Sequence, residues 1–159
     1  TVAKAAGWGG PLPAGHALGM AYVESYGSLC AEVAEVSLRD GKPVVHRVVC
    51  ALDCGSIVLP DGVRSQVEGG IVQGLSAAMG EAVGIANGRA VDRNFDTYPL
   101  LRITQSPARI ETIIIESGEA MGGVGEPPLP PIAPAVVNAL ATLTGKPIRE
   151  LPLSRHTFG

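Results

Sequence analysis

The chain has 159 residues, enough for one domain or two small subdomains, and 46% of them are apolar, ample for a core. A formal net charge of −3 with no basic run argues against nucleic-acid backbones and anionic membranes as partners, and 4% aromatic content argues against a base-stacking surface. No apolar stretch reaches the roughly 18–20 residues of a membrane span, and three cysteines are too few for a disulfide framework.

Glycine and proline are abundant, at 21 and 13 residues, and they cluster at Gly7–Gly15, Gly69–Gly74 and Gly118–Pro134. Apolar periodic segments separate these clusters, so they read as places of close backbone approach rather than as linker. Thr1 is not an initiator residue, and a cut or processed N-terminus is expected.

In chain order, a Gly/Pro loop over 7–15 precedes a strand over 17–26. A partly alternating strand over 30–38, the turn Asp40-Gly41 and a Val-rich strand over 43–52 predict a β-hairpin. Asp61, after Pro60, is the expected N-cap of a helix running to about Gly80. Val63, Val67, Ile71, Leu75 and Met79 form its apolar stripe, and Gly62, Gln66, Gly69, Gly70, Gln73 and Ala77 lie opposite. Each helical glycine costs up to about 1 kcal/mol against alanine. Two reasons could justify them: close packing of another element, or a cofactor pressed on bare backbone with Gln66 or Gln73 hydrogen-bonding it.

Asn87-Gly88 marks a second hairpin between short strands near Ala82 and Val91. An irregular stretch, 94–102, carries Tyr98. Residues 110–116 read as a strand. After the loop 118–131 comes a helix over about 132–144, with Val136, Leu140 and Leu143 inward and Gly145 as its stop. The tail 149–159 reads as extended and exposed. The expected architecture is α+β: antiparallel or mixed sheets with two main helices bordering a cleft.

Among side chains that could carry chemistry, Glu126 stands out in Gly122-Gly123-Val124-Gly125-Glu126-Pro127-Pro128. Flanking glycines leave it unshielded, Pro127 biases it toward extended backbone, and a following helix start favours its ionised form. Those are a general base's requirements, although a surface loop carboxylate fits the pattern too. The loop lacks the Gly-Lys-Ser/Thr of a phosphate loop and the spacing of a dinucleotide fingerprint. His16, His46 and His156 lie far apart in sequence and suggest no triad. His46 reads as a half-exposed sheet residue, Ser28 as a turn hydroxyl or ligand contact, and Asp53 as a turn former. Glu68 and Glu81 read as helix-surface or capping charges, and Tyr98 as a loop anchor or pocket wall. Cys50 and Cys54, four apart, read as structural thiols, and no metal ligand set is assigned.

Five stretches in order then carry a resemblance: Val23–Ser28, Ala34–Ser37, Val48–Gly55, Pro60–Gly70 and Gly122–Ala135. Together they resemble the large molybdopterin-binding subunit of the xanthine oxidase (molybdenum hydroxylase) family. The isoquinoline 1-oxidoreductase β-subunit and bacterial aldehyde dehydrogenase types are the nearest in look. The resemblance implies that residues 1–159 are the C-terminal portion of the molybdopterin-binding domain of a longer subunit. It implies a molybdenum-pterin cofactor, in bacteria usually the cytosine dinucleotide, and oxidative hydroxylation of an N-heteroaromatic or aldehyde carbon with water-derived oxygen. Glu126 falls on the family's general base toward the molybdenum-bound hydroxyl, Gln66 on its pterin-contacting glutamine, and Gly123, Val124 and Gly125 on backbone facing the metal's ligands.

The implied partners are the remainder of the large subunit, a small subunit with [2Fe-2S] clusters and, in some members, a cytochrome c subunit. By the same resemblance the compartment is either periplasmic or cytoplasmic. Pro128-Leu129 departs from the isoquinoline-type pattern and matches xanthine-oxidase-type members, so subgroup analogy does not settle the substrate. The rival expectations are a non-catalytic module of the same fold without cofactor, and a hydrolase using Glu126 with a second acid.

Overall fold

The computed structural model describes residues 1–158. Its frame is a four-stranded sheet in the order β1 (His16–Ser25), β2 (Ser28–Arg39), β3 (Lys42–Asp53) and β6 (Arg109–Ile115). The first three strands form an antiparallel meander, and β6 runs parallel to β3. Two helices, α2 (Pro60–Met79) and α3 (Leu129–Thr144), cover one face. A five-residue helix, α1 (Val2–Ala6), sits on the other. The two-residue strands β4 (Ile85–Ala86) and β5 (Arg89–Ala90) make the small hairpin expected around Asn87-Gly88. The α+β expectation holds, with a mixed sheet.

Both turns of the meander use left-handed backbone: Tyr26 and Gly27 at φ 54° and 72°, Asp40 and Gly41 at φ 52° and 68°. Such turns match the twist of the strands they join. The middle strands are buried on both faces, which explains their blurred alternation. Ala34, Val36, Val48 and Leu52 join the main core with Val67, Ile71, Leu75, Ile132 and Leu140. Val33, Val49 and Ala51 meet Val2 and Ala6 beneath α1.

Close backbone contact sets the spacing of α3. A methyl group on Gly19 of β1 would strike the backbone of Ala135 and Ala139, and one on Gly74 of α2 would strike the Leu129 carbonyl and lie 2.7 Å from Ile132 Cγ2. Gly70 faces Pro128 and the Gly125 carbonyl. Packing therefore accounts for Gly70 and Gly74. Gly62 meets only its own Leu59 side chain, and Gly69 faces open space.

Two sequence expectations are corrected, and one element had none. Helix α2 begins at Pro60 with Leu59 as its extended N-cap and no side-chain cap bond, so Asp61 is a first-turn acid rather than the cap. The tail is not simply extended and exposed: Leu153 and Phe158 are buried in the main core, around a single 3-10 turn at Leu153–Arg155. Scattered apolar residues without period give no signal of such docking. Helix α1 had no expectation, because five residues cannot sustain a helix alone. Tertiary contacts hold it, including Arg47 Nη2 donating to the Ala5 carbonyl at 3.1 Å.

Two outcomes follow from this packing. Gly19→Ala should cost about 1–3 kcal/mol by overpacking, lowering Tm by roughly 2–4 °C per kcal/mol, whereas Gly69→Ala should be neutral or stabilising. Thermal unfolding of the two variants decides. The second concerns Glu111 of β6, which accepts from Arg47 of β3 and, at 3.1 Å, pairs with Arg109. The Arg47 hydrogen bond, followed by the charges of Arg47 and Arg109, holds its carboxyl below the usual range. A depressed folded pKa gives stability that is complete above the unfolded value of about 4.3 and lost as pH falls through the folded one. The stability gap between wild type and Glu111→Gln in urea titrations should therefore be flat near neutrality and close in acid.

Candidate functional site

The segment from Gly118 to Glu126 runs from the end of β6 to the start of α3, and three other elements hold it. Past the end of β3, the Ser56 N–H donates to the Glu119 carbonyl at 3.2 Å, and Gly122 N–H donates to the Cys54 carbonyl at 2.9 Å. From the β1–β2 turn, the Tyr26 carbonyl accepts from Gly123 N–H at 2.8 Å. The wholly buried Ser28 hydroxyl returns a bond of 2.6 Å to the Gly123 carbonyl. From α2, the Gln66 side chain reaches the loop: its Oε1 lies 3.3 Å from where a Cβ on Gly125 would be.

These contacts explain why glycine occupies 122 and 123. A Cβ on Gly122 would collide with the Ser28 hydroxyl and stand 2.6 Å from the Gly27 carbonyl; one on Gly123 would stand 2.9 Å from Tyr26 Cβ. Asp53 caps the adjoining corner as a turn former, accepting from Gly55 N–H at 3.1 Å and from the Ser117 hydroxyl at 2.7 Å.

The loop then changes character. Val124 to Gly125 is half-buried and Glu126 is exposed. Among the described residues, nothing accepts a hydrogen bond from the backbone N–H groups of Val124, Gly125 or Glu126. Pro127 and Pro128 contribute no donor, and the Glu126 carbonyl accepts from Leu129 as α3 begins. The result is three free amide donors in a row, one amide side chain, little side-chain bulk and one unshielded carboxylate. That donor set fits a flat heteroaromatic group with oxygen and phosphate acceptors, such as a pterin.

All five sequence-assigned residues, Gln66, Gly123, Val124, Gly125 and Glu126, thus lie on one continuous surface, with Gln66 contributed from 60 positions upstream. Gln73, the alternative amide, lies exposed on α2. Ser28 is a clamp on the loop, a role not distinguishable in the sequence from that of a turn hydroxyl. Tyr98 is a loop anchor, its hydroxyl donating to Glu81 at 2.9 Å.

The histidines need a correction. His16 and His46 are not apart: their rings stack with centroids 4.3 Å apart. His16 Nδ1 pairs with Glu35 and His46 Nε2 with the Ser37 hydroxyl, each at 2.7 Å. The cause is a β-bulge. Glu35 pairs with Arg47 and Val36 with Val45, so His46 is the extra residue, turned toward β1. Burial first, and the neighbouring His16 second, push the His46 imidazole down. This pair lies away from Glu126 and brings no nucleophile.

A cavity of about 500 Å³ lined by Leu38, Leu143, Ile148 and Phe158 lies at the C-terminal end of α3. A 16-residue helix separates it from Glu126 by about 24 Å. None of the titratable groups of the Glu126 surface reaches it, so chemistry rather than cavity size marks the candidate site.

A family profile described as Molybdopterin cofactor-binding domain matches residues 10–107, which include Gln66. The chain is 41% identical over 158 residues to the isoquinoline 1-oxidoreductase subunit beta of Brevundimonas diminuta, covering 96% of this chain and 20% of that protein. It is 34% identical to a membrane-bound aldehyde dehydrogenase (pyrroloquinoline-quinone) of Gluconacetobacter polyoxogenes, covering 78% of this chain and 16% of that one. The quinoline 2-oxidoreductase structure from Pseudomonas putida 86 superposes with a TM-score of 0.68 at 22% identity, over 79% of this chain and 17% of that one. The chain thus spans about a fifth or less of the length of these proteins.

Ser28→Ala should cost about 1–3 kcal/mol, because the Gly123 carbonyl loses its donor. Hydrogen exchange should show faster exchange at the Gly122 and Gly123 amides and little change at Val124–Glu126, which are already free. Unchanged protection at Gly122 and Gly123 would show that the clamp does not hold the loop.

Proposed function

Because the chain belongs to the family of molybdopterin cofactor-binding domains of xanthine-oxidase-type subunits, we propose that it is the C-terminal, catalytic portion of a molybdenum hydroxylase with Glu126 as its general base. The observation that carries this reading is the juxtaposition of Gln66, the free amides of Val124, Gly125 and Glu126, and the Glu126 carboxylate on one glycine-rich surface. The profile that matches residues 10–107 is one for molybdopterin. The quinone belongs to the name of the aldehyde dehydrogenase relative and to nothing seen in this chain.

When bound, the molybdenum–pterin group, in its cytosine dinucleotide form, supplies the two-electron chemistry that places a water-derived oxygen on an electron-poor carbon. Gln66 and the Val124–Glu126 amides would hold that group from one side. The glycine at 125 keeps side-chain bulk off the surface beside Gln66 and lets the group come close to the backbone there. Glu126 accepts the proton of the attacking hydroxyl on its carboxylate, which the rigid Pro127-Pro128 step and the start of α3 hold in place. Clamping by Ser28 and Tyr26 keeps the loop from drifting, so the carboxylate stays within reach of one position.

The open surface around Glu126 supports completion of the pocket by the remainder of the large subunit. Electrons would leave through [2Fe-2S] clusters on a small partner subunit, and in some assemblies a cytochrome c subunit. The isoquinoline and quinoline enzymes among the similar proteins support an N-heteroaromatic substrate, and the aldehyde dehydrogenase supports an aldehyde.

Glu126→Gln keeps size and hydrogen bonding but cannot accept the proton. In the full assembly its kcat should fall by about 10²-fold or more with molybdenum content unchanged. Turnover equal to wild type on a heteroaromatic or aldehyde substrate would remove Glu126 from the mechanism.

A further inference from the structure

The inner face of the sheet holds a second cluster that the reaction does not use. Glu32 on β2 and Cys50 on β3 are direct cross-strand partners, and Cys30 lies two residues from Glu32 on the same face. All three are fully buried, at 0% exposure. The two sulfur atoms stand 3.5 Å apart, Cys30 Sγ is 4.0 Å from Glu32 Oε1, and the donor atoms of the three residues all lie within 4.8 Å of one another.

Glu32 makes this cluster unusual. Its Oε2 has no hydrogen-bond partner, although the residue is wholly buried. The ion pairs among the described residues involve Glu35 and Glu111, so no basic side chain answers Glu32. Burying an unpartnered carboxyl oxygen on the face that carries the main core is costly, and such a group calls for an explanation.

We propose that Cys30, Cys50 and Glu32 form a binding site for one borderline-soft divalent cation of the zinc type, separate from the Glu126 surface. The distances suit it. Two thiolates at about 2.3 Å from a tetrahedral zinc stand about 3.8 Å apart, close to the observed separation. A carboxylate completes the set with one oxygen or two, and Oε2 then gains the partner it lacks. Each ligating thiol releases its proton to solvent on binding. The cation offsets two of the three negative charges the donors then carry. Adjacent paired strands hold all three donors, so little reorganisation is needed. Cys54, buried nearby, stands outside the group. This proposal does not depend on the role of Glu126.

The test uses the full-length protein, equilibrated with buffered zinc, freed of loose metal and analysed for zinc and molybdenum beside Cys50→Ser and Glu32→Gln. Wild type should retain about one more zinc per chain than either variant, at equal molybdenum content. Its zinc absorption-edge fine structure should contain sulfur at about 2.3 Å with oxygen. If one variant does not fold, the other carries the comparison. Zinc content equal in wild type and folded variants, or a zinc shell without sulfur, overturns the site and leaves a neutral carboxylic acid beside two thiols. Loss of molybdenum together with zinc would also overturn it, since the two sites would then not be separate.

Discussion

Close backbone contact around α3 is the constraint on which the rest of the molecule depends. The helix lies in a slot with Gly19 of β1 on one side and Gly70 and Gly74 of α2 on the other. At Gly19 and Gly74 a single methyl group would meet main-chain atoms, which cannot rotate away as a side-chain end can. The glycines weaken strand and helix locally, by up to about 1 kcal/mol each. In return α3 packs at backbone distance, and its start, where Pro127 and Pro128 are buried, sits at one depth against α2. The position of Glu126 follows directly, since it immediately precedes that start.

The loop before α3 divides its backbone donors between two tasks. Gly122 and Gly123 spend theirs on the Cys54 and Tyr26 carbonyls, and Ser28 closes the arrangement from a buried position. Val124, Gly125 and Glu126 keep theirs free among the described residues. A loop that is rigid in its first half and unpaired in its second is suited to hold a large planar group by main-chain contacts, because rigidity is what keeps free donors aimed. The neighbouring Gln66 adds the one side chain that can both donate and accept there.

The two faces of the sheet do different work. The inner face builds the main core and carries Ser28, Cys30 and Glu32 in line along β2. The outer face, only partly covered by α1, holds its polar groups in pairs: the stacked histidines with Glu35 and Ser37, and Arg47 with Glu111. Arg47 also caps the end of α1, so one guanidinium joins the N-terminal helix to the parallel edge strand.

The sequence by itself determined the three long strands and the hairpin of the second and third, both long helices and the Gly-rich loop with Glu126. Turn dipeptides such as Asp40-Gly41, the four-residue apolar period of α2 and the stop at Gly145 act over a few residues, so they are readable locally. From pattern it offered Gln66 or Gln73 beside the helix glycines and left close packing and cofactor contact both open; the resemblance to a known family then singled out Gln66 and the loop backbone. Tertiary structure assigned Gly70 and Gly74 to packing and placed Gln66 beside Gly125. Tertiary structure alone placed His46 against His16, put Glu32 beside two touching thiols, docked Leu153 and Phe158 and turned Ser28 into a clamp. Each depends on strand register, a one-residue bulge or a contact between residues up to about a hundred positions apart. No short-range pattern of residue types encodes such a pairing.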